Sequence, residues 1–274
     1  MIDIKGLSFS YGKKRVFNDF NLQIPDGQVC LVTGINGVGK STLLRLMAGV
    51  LRPDQGEVGY DANLGADPRR KIGFVSDALS LYESLTVAEA IGLHRSVYGL
   101  SSFDDSLIKH TKIGRGQRVL ELSIGQRTIF HLNLILSLEP EVLLIDEIIH
   151  SIDAYLRRIF LEQIVQLLST RRVTVVMVNV NFHDIEYLIE RVILLKSGEI
   201  TVDENIEDLK AKVKKIVGQN QPSSLSVLSR INYSDHSEFF VYPFNDHLRE
   251  TIEGDVFDLN LTEIVSAFIG GEYA

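Results

Sequence analysis

Gly34-Ile35-Asn36-Gly37-Val38-Gly39-Lys40-Ser41 is the stretch that decides how this chain is read. An apolar run, Val29 to Thr33, leads into it, and Ser41 to Ala48 reads as a helix leading out. A buried strand, a glycine-rich turn and a helix start form a cradle for phosphate. Gly34, Gly37 and Gly39 admit positive φ and bring backbone N–H groups close to phosphate oxygens, and the helix N-terminus adds a favourable field. Lys40 suits the terminal phosphates, and the Ser41 hydroxyl suits Mg2+.

Outward from this loop, Val142 to Ile145, Val173 to Val178 and Val192 to Leu195 are further short runs rich in Val, Ile and Leu, separated by helical patterns. They predict strands buried on both faces of a mainly parallel sheet. Ile2-Asp3-Ile4 and Phe20 to Ile24 read as antiparallel edge strands joined through Tyr11-Gly12-Lys13-Lys14-Arg15, and Lys196-Ser197-Gly198-Glu199 closes a hairpin into Ile200 to Val202. Between Leu81 and Leu122 the pattern turns helical, with breaks at Gly99, Gly114 and Gly116. After about Asp208 comes a Lys-rich and then polar stretch. Beyond it a small α+β domain is expected, with helices at Leu225 to Ile231, His247 to Ile252 and Leu261 to Ile269 and strands at Glu238 to Tyr242 and Asp255 to Leu259.

Glu141-Val142-Leu143-Leu144-Ile145-Asp146-Glu147 puts two carboxylates just past an apolar strand, at the edge where open α/β sheets bind ligands. Asp146 suits Mg2+, held through its water shell, and Glu147 suits a general base that polarises water.

The 274 residues are 45% hydrophobic and 23% charged, ordinary values for a folded chain with a sizeable core. A net charge of -8 disfavours general nucleic-acid binding, and Arg69-Arg70-Lys71 and Lys210 to Lys215 read as solvated basic faces. With Cys30 alone no intrachain disulfide forms, which fits a reducing compartment. Met1-Ile2-Asp3-Ile4 has no signal-peptide character, and the longest apolar stretch, Ile129 to Leu138, contains His131 and Asn133 and is shorter than the ~20 residues of a membrane span.

Glu121-Leu122-Ser123-Ile124-Gly125-Gln126, directly before a helix that leads to Glu139-Pro140-Glu141, resembles the Leu-Ser-Gly-Gly-Gln signature of ABC-type ATPases. The resemblance runs from residue 1 to about 205. It implies a P-loop NTPase fold of the ABC type: a mixed, mainly parallel sheet, an edge antiparallel β-subdomain and a short helical insertion at about 80–122, together forming a domain at 1–208. Residues 209–274 would be an accessory α+β domain.

By that resemblance Tyr11 stacks on adenine, and Gly34, Asn36, Gly37, Gly39, Lys40, Ser41 and Thr42 hold the ATP phosphates. Ser123, Gly125 and Gln126 reach the ATP of a second subunit, homo- or heterodimeric, arranged head to tail. Ser41, Asp146 and Asp77 are the implied Mg2+ ligands, and Lys40, Glu147 and Asp77 the implied catalytic groups. Ser151-Ile152-Asp153 matches the D-loop, with Asp153 at the dimer interface.

Three positions depart from the family pattern. Asp77 stands where the family has glutamine, Ile124 replaces the first signature glycine, and Val180 occupies the slot of the switch histidine. His183 lies three residues late and reads, like His150, as an ordinary histidine. These departures lead to the expectation of slow hydrolysis, or of hydrolysis mainly at a partner's site.

Leu79 to Val87 and Leu259 to Gly270 resemble segments of ABC-2-type exporter motors, which implies export. The implied setting is peripheral, on the cytoplasmic face of the cell membrane, bound to an integral membrane subunit; Leu81, Tyr82 and Leu85 either receive a helix of that subunit or pack inside the helical insertion. No nucleic-acid partner is expected. Two other readings stay open: an ATP-gated regulatory protein with little hydrolysis, and a soluble ABC ATPase unconnected with transport.

Overall fold

The computed structural model describes the chain except residues 62, 63, 66, 77–82, 149–151, 179–183, 223, 224 and 271–274, and the side chains of 248, 250 and 251. The chain forms two compact units, one of Met1–Cys30 and Gly39–Asn179, the other of Leu31–Val38 and Val180–Ala274.

In the first unit, β1 (Ile2–Tyr11) and β2 (Lys14–Ile24) pair antiparallel. Their inward residues alternate until Ile4, after which the buried positions jump to Leu7 and Phe9. A register shift between Ile4 and Leu7 absorbs the extra residue, and Gly6 adopts φ 58° there. β3 (Val29–Gly34), of which only Val29 and Cys30 belong to this unit, and α1 (Lys40–Met47) follow. β4 (Gln55–Tyr60) then completes a sheet of order β2-β1-β4. Its glycines disguise it as a turn in the sequence. A Cβ on Gly56 would lie 2.3 Å from the Gly6 carbonyl oxygen, so the glycine is what lets β4 approach β1.

The main sheet contains β5 (Ile72–Ser76), β6 (Val142–Asp146) and β7 (Thr174–Val178), parallel and in register from Ile72, Val142 and Thr174 to Ser76, Asp146 and Val178. Val175 N–H of β7 donates to the Gln28 carbonyl, just before β3, at 3.0 Å. Every residue of β3, β6 and β7 is buried, as their unbroken apolar runs predict. The carboxyl ends of β5, β6 and β7 share one edge, which carries Asp146.

The helical insertion contains α2 (Val87–Tyr98), started by a Thr86–Glu89 capping box and stopped by Gly99 at φ 66°, and α3 (Ser106–His110). Its core of Val87, Ile91, Ile108 and Val119 is closed by Phe130 and Leu134 of α4 (Ile124–Leu136). The insertion and the signature helix therefore share one core. α5 (Ala154–Thr170) completes the unit.

In the second unit, β8 (Arg191–Lys196) and β9 (Glu199–Asn205) form a hairpin whose two turn residues, Ser197 and Gly198, both have positive φ, the conformation that suits the twist of paired strands. α6 (Ile206–Lys212) starts at an Asn205 cap. The boundary expected between 208 and 209 falls inside this helix. β10 (Lys214–Gly218), β11 (Val227–Asn232), β12 (Ser237–Val241) and β13 (Asp255–Asp258) make an antiparallel sheet of order β11-β12-β10-β13, with a core of Ile216, Phe239, Val241 and Phe244.

Two expectations are corrected here. Leu225 to Ile231 is not a helix: pairing of β11 with β12 overrides its local pattern. Asp246–Thr251, expected within a helix from His247, is a 3-10 turn capped by Asn245. α7 (Leu261–Gly270) is the helix predicted there, and its start is fixed by reciprocal hydrogen bonds between Asn260 and Glu263.

Candidate nucleotide site

The glycines of the loop hold the backbone its shape demands, with φ 142° at Gly34, 81° at Gly37 and 118° at Gly39. Packing reinforces two of them. A Cβ on Gly34 would lie 2.3 Å from the Leu195 carbonyl oxygen, and one on Gly39 would lie 2.7 Å from Val16 Cγ1 and 2.8 Å from Phe17 Cζ. At Gly37 a Cβ would meet no atom within 4 Å, so the backbone angle alone selects glycine there. Gly39 caps α1 without a side-chain acceptor. This backbone suits an anion at the helix start.

Lys40, Ser41, Asp146 and Glu147 come together although the sequence separates them widely. The Ser41 hydroxyl donates to Asp146 Oδ1 at 2.8 Å, and Lys40 Nζ lies 3.7 Å from Glu147 Oε1. Asp146 is the last residue of β6 and is 2% exposed. Glu147 turns away from the strand at φ 46°, with its N–H donating to the Val178 carbonyl at 3.0 Å, and its carboxylate stays partly open to solvent. Burial pulls the Lys40 ammonium below the usual lysine range, against the opposing pull of Glu147 and Asp146. A hydroxyl and a carboxylate side by side are hard oxygen donors that fit Mg2+, which takes few protein ligands and completes its shell with water and phosphate. No cluster of three or more His, Cys, Asp or Glu suited to a metal occurs among the described residues.

Thr42 is buried in the first turn of α1. Tyr11 ends β1, 47% exposed, with its ring edge-on to Phe9 at 4.9 Å. Ser123 caps α4: its Oγ accepts the Gln126 N–H at 3.2 Å, and Gln126 Oε1 accepts the Ser123 N–H at 3.1 Å. Ile124, beside them, is 62% exposed. A Cβ on Gly125 would lie 2.6 Å from Leu156 Cδ1, so this glycine lets α4 pack closely on α5. Asp153 caps α5, accepting from the N–H groups of Tyr155 and Leu156, both at 3.0 Å.

Asp77, His150, Ser151, Val180 and His183, with Leu81 and Tyr82, lie outside the described residues. Two supports escape a reading of the sequence: the Val178 carbonyl that fixes Glu147, and the Val16–Phe17 pair that backs Gly39. Both are contacts between distant segments with no local pattern. Leu85, by contrast, packs against the insertion core.

Residues 17–150 match the family model described as ABC transporter, a span that includes the phosphate loop, the signature and both carboxylates. The chain is 31% identical over 211 residues to a probable sulfate/thiosulfate import ATP-binding protein CysA of Chlorella vulgaris, covering 72% of this chain and 88% of that one. It is 32% identical over 209 residues to the sulfate/thiosulfate import ATP-binding protein CysA of Synechocystis, covering 73% and 59%. The chain thus spans about six tenths of that cyanobacterial relative. Both relatives are named for import, and they lend no support to the exporter class. A solved dimeric ATP-binding cassette, in a post-hydrolysis state with ADP and Pi, superposes with a TM-score of 0.63 at 25% identity, covering 75% of this chain and 99% of that one.

Proposed function

Because the chain belongs to the ABC transporter ATP-binding family and is an ATPase of that type, we propose that it powers a membrane transporter as a peripheral subunit on the cytoplasmic face. The observation that carries this reading is the joining of Ser41 to Asp146 at 2.8 Å, beside Lys40 and Glu147, at the carboxyl edge of the sheet. Gly34, Asn36, Gly37, Gly39, Lys40, Ser41 and Thr42 hold the phosphates, and Tyr11 stacks on the base. Ser41 and Asp146 would hold Mg2+, with Asp77 as a further ligand, and the ion would supply neutralisation of phosphate charge.

Glu147 orients the attacking water and accepts its proton, and the Val178 carbonyl fixes the backbone from which its side chain extends. Ser123, Gly125 and Gln126 present the start of α4 to the nucleotide of a second ATP-binding subunit, with Asp153 at the same interface. A separate membrane-spanning subunit completes the transporter. No helix among the described residues is long and apolar enough to cross a membrane. The direction of transport belongs to that subunit; the segments resembling exporter motors and the relatives named for import point opposite ways.

A second reading, an ATP-gated subunit with little hydrolysis, is favoured by the exposed Ile124 side chain where close approach is needed, and by valine at position 180. Calorimetric titration with MgATP tests the binding half: the wild-type chain binds, and Lys40→Ala loses at least about tenfold in affinity. Equal binding by the two proteins would reject the site. Turnover with the co-purified membrane subunit separates the two readings. A rate raised by Val180→His supports the motor with a weakened switch.

A further inference from the structure

The entry of the helical insertion is laced to the segment that leads into the signature. Leu120 N–H donates to the Glu83 carbonyl at 3.1 Å and Val119 N–H to the Leu85 carbonyl at 2.9 Å. In return, Val87 and Ala88 donate to the carbonyls of Gln117 and Arg115, both at 2.9 Å. Thr86 and Arg118 face each other as an antiparallel bridge at the centre. This short ribbon ends at the Leu120–Glu83 pair, three residues before Ser123.

Arg127 fastens the ribbon to α4. Its backbone N–H donates to the Ser123 carbonyl at 2.8 Å as part of the first helical turn. Its guanidinium turns back the other way, with Nη1 donating to Glu83 Oε1 at 2.9 Å and Nη2 to the Leu120 carbonyl at 3.4 Å. The Arg127 side chain is 20% exposed, and its Nε is buried with no hydrogen-bond partner among the described residues. A largely desolvated guanidinium depends on the partners it has. One residue therefore joins Ser123, through its backbone, to Leu120 and Glu83, through its side chain.

We infer that Arg127 is a positioning residue for the signature serine, and that Glu83 is the anchor through which it acts. The inference rests on the proposed role of Ser123 toward a second subunit's nucleotide. Glu83 is half exposed, and an ion pair with one half-exposed partner adds little to global stability. Its value lies in geometry: without the fork, the start of α4 keeps the Ser123–Gln126 cap and the packing of Gly125 on Leu156 but loses its side-chain tie to the ribbon. A displacement of about 1 Å at a catalytic contact is enough to cost a large part of the rate.

The test uses the full chain as Arg127→Met and Glu83→Gln, with Arg127→Lys as the conservative control. Hydrogen exchange is followed at the Ser123 and Gln126 amides, with the Leu43 and Leu44 amides of α1 as internal references. In both disruptive variants exchange at Ser123 and Gln126 is expected to rise about tenfold, with α1 unchanged and the melting temperature within about 2 °C of wild type. Arg127→Lys, which keeps the charge without the fork, gives an intermediate value. In the assembled transporter, kcat falls while KM for ATP stays within about twofold, because the chain's own phosphate loop is untouched.

Unchanged exchange at Ser123 and Gln126 in both disruptive variants overturns the inference, as does a rise in KM at constant kcat. Ser123→Ala separates this from the underlying reading. If that variant keeps full turnover while exchange still responds to Arg127→Met, the role proposed for Ser123 fails and the positioning of α4 stands.

Discussion

The Ser41 hydroxyl donates to Asp146 Oδ1 at 2.8 Å, although 105 positions separate the two residues. The sheet makes the contact possible by ending β6 at the edge where α1 begins. A hydroxyl and an anionic carboxylate so placed form a ready pair of Mg2+ ligands. Asp146→Asn keeps the size of the side chain and removes its charge, so phosphate binding by the loop survives while the contribution of Mg2+ is lost. Nucleotide titrations with and without Mg2+ are expected to show a gain in affinity for the wild type and a gain about tenfold smaller, or none, for the variant. The same Mg2+ gain in both proteins would remove Asp146 from the metal site.

Glu147 combines a left-handed backbone, φ 46°, with a hydrogen bond to the Val178 carbonyl. A glutamate held in so unfavourable a conformation points to a required position for its carboxylate rather than to a loop charge. Glu147→Gln preserves shape and takes away the proton acceptor. Turnover should drop by about 100-fold or more, with MgATP binding retained. Phosphate release in single-turnover mode checks this, and an unaltered rate would assign the general base elsewhere.

The loop glycines should rank by what surrounds them. Gly34→Ala forces a methyl group to within 2.3 Å of a backbone oxygen at φ 142°, and backbone cannot yield cheaply, so a loss of more than about 3 kcal/mol is expected. Gly37→Ala meets open space at φ 81° and costs only backbone strain, about 1–2 kcal/mol. Denaturant midpoints of the two variants give the order. Equal midpoints would mean that the contact with Leu195 relaxes freely.

The fold was legible where a residue announces its own conformation. Buried strands β3, β6 and β7 show as unbroken apolar runs, and the phosphate loop shows through spacing that backbone angles then explain. The short mixed pattern of Leu225 to Ile231, apolar at 225, 227, 228 and 231, is equally compatible with helix and strand until β12 is beside it, which is why it misled. β4 hid for a related reason: Gly56 signals a turn locally, while its purpose is the close passage of Gly6 on another strand. In the site, Lys40, Ser41, Asp146 and Glu147 were readable from their motifs. The Val178 carbonyl and the Arg127 fork were not, because each is a contact made by chain folding between segments with no shared pattern. Ser123 and Gln126, read from the sequence as nucleotide contacts, form the cap of α4 in the structure.

His131 supplies the pH dependence. It lies on α4, inside the run Ile129 to Leu138, with its Nδ1 buried and unpartnered among the described residues. Burial, with a smaller push from His94, holds its pKa down to about 4, against an ordinary value of 6.5. The sign follows from proton uptake. Between pH 6.5 and 4 the unfolded chain binds a proton at this residue that the folded chain refuses, so stability is full above 6.5 and falls as pH drops through that window. The loss reaches about 2–3 kcal/mol near pH 4. His131→Leu removes the titrating group from this partly buried position and should lose less of its melting temperature between pH 7 and pH 4.5, by about 5 °C, as judged by calorimetric scans at the two pH values. His94, whose pKa is also lowered by burial, keeps its own smaller acid sensitivity in both proteins and so cancels from the comparison. Parallel losses in wild type and variant would place the acid sensitivity elsewhere than in α4.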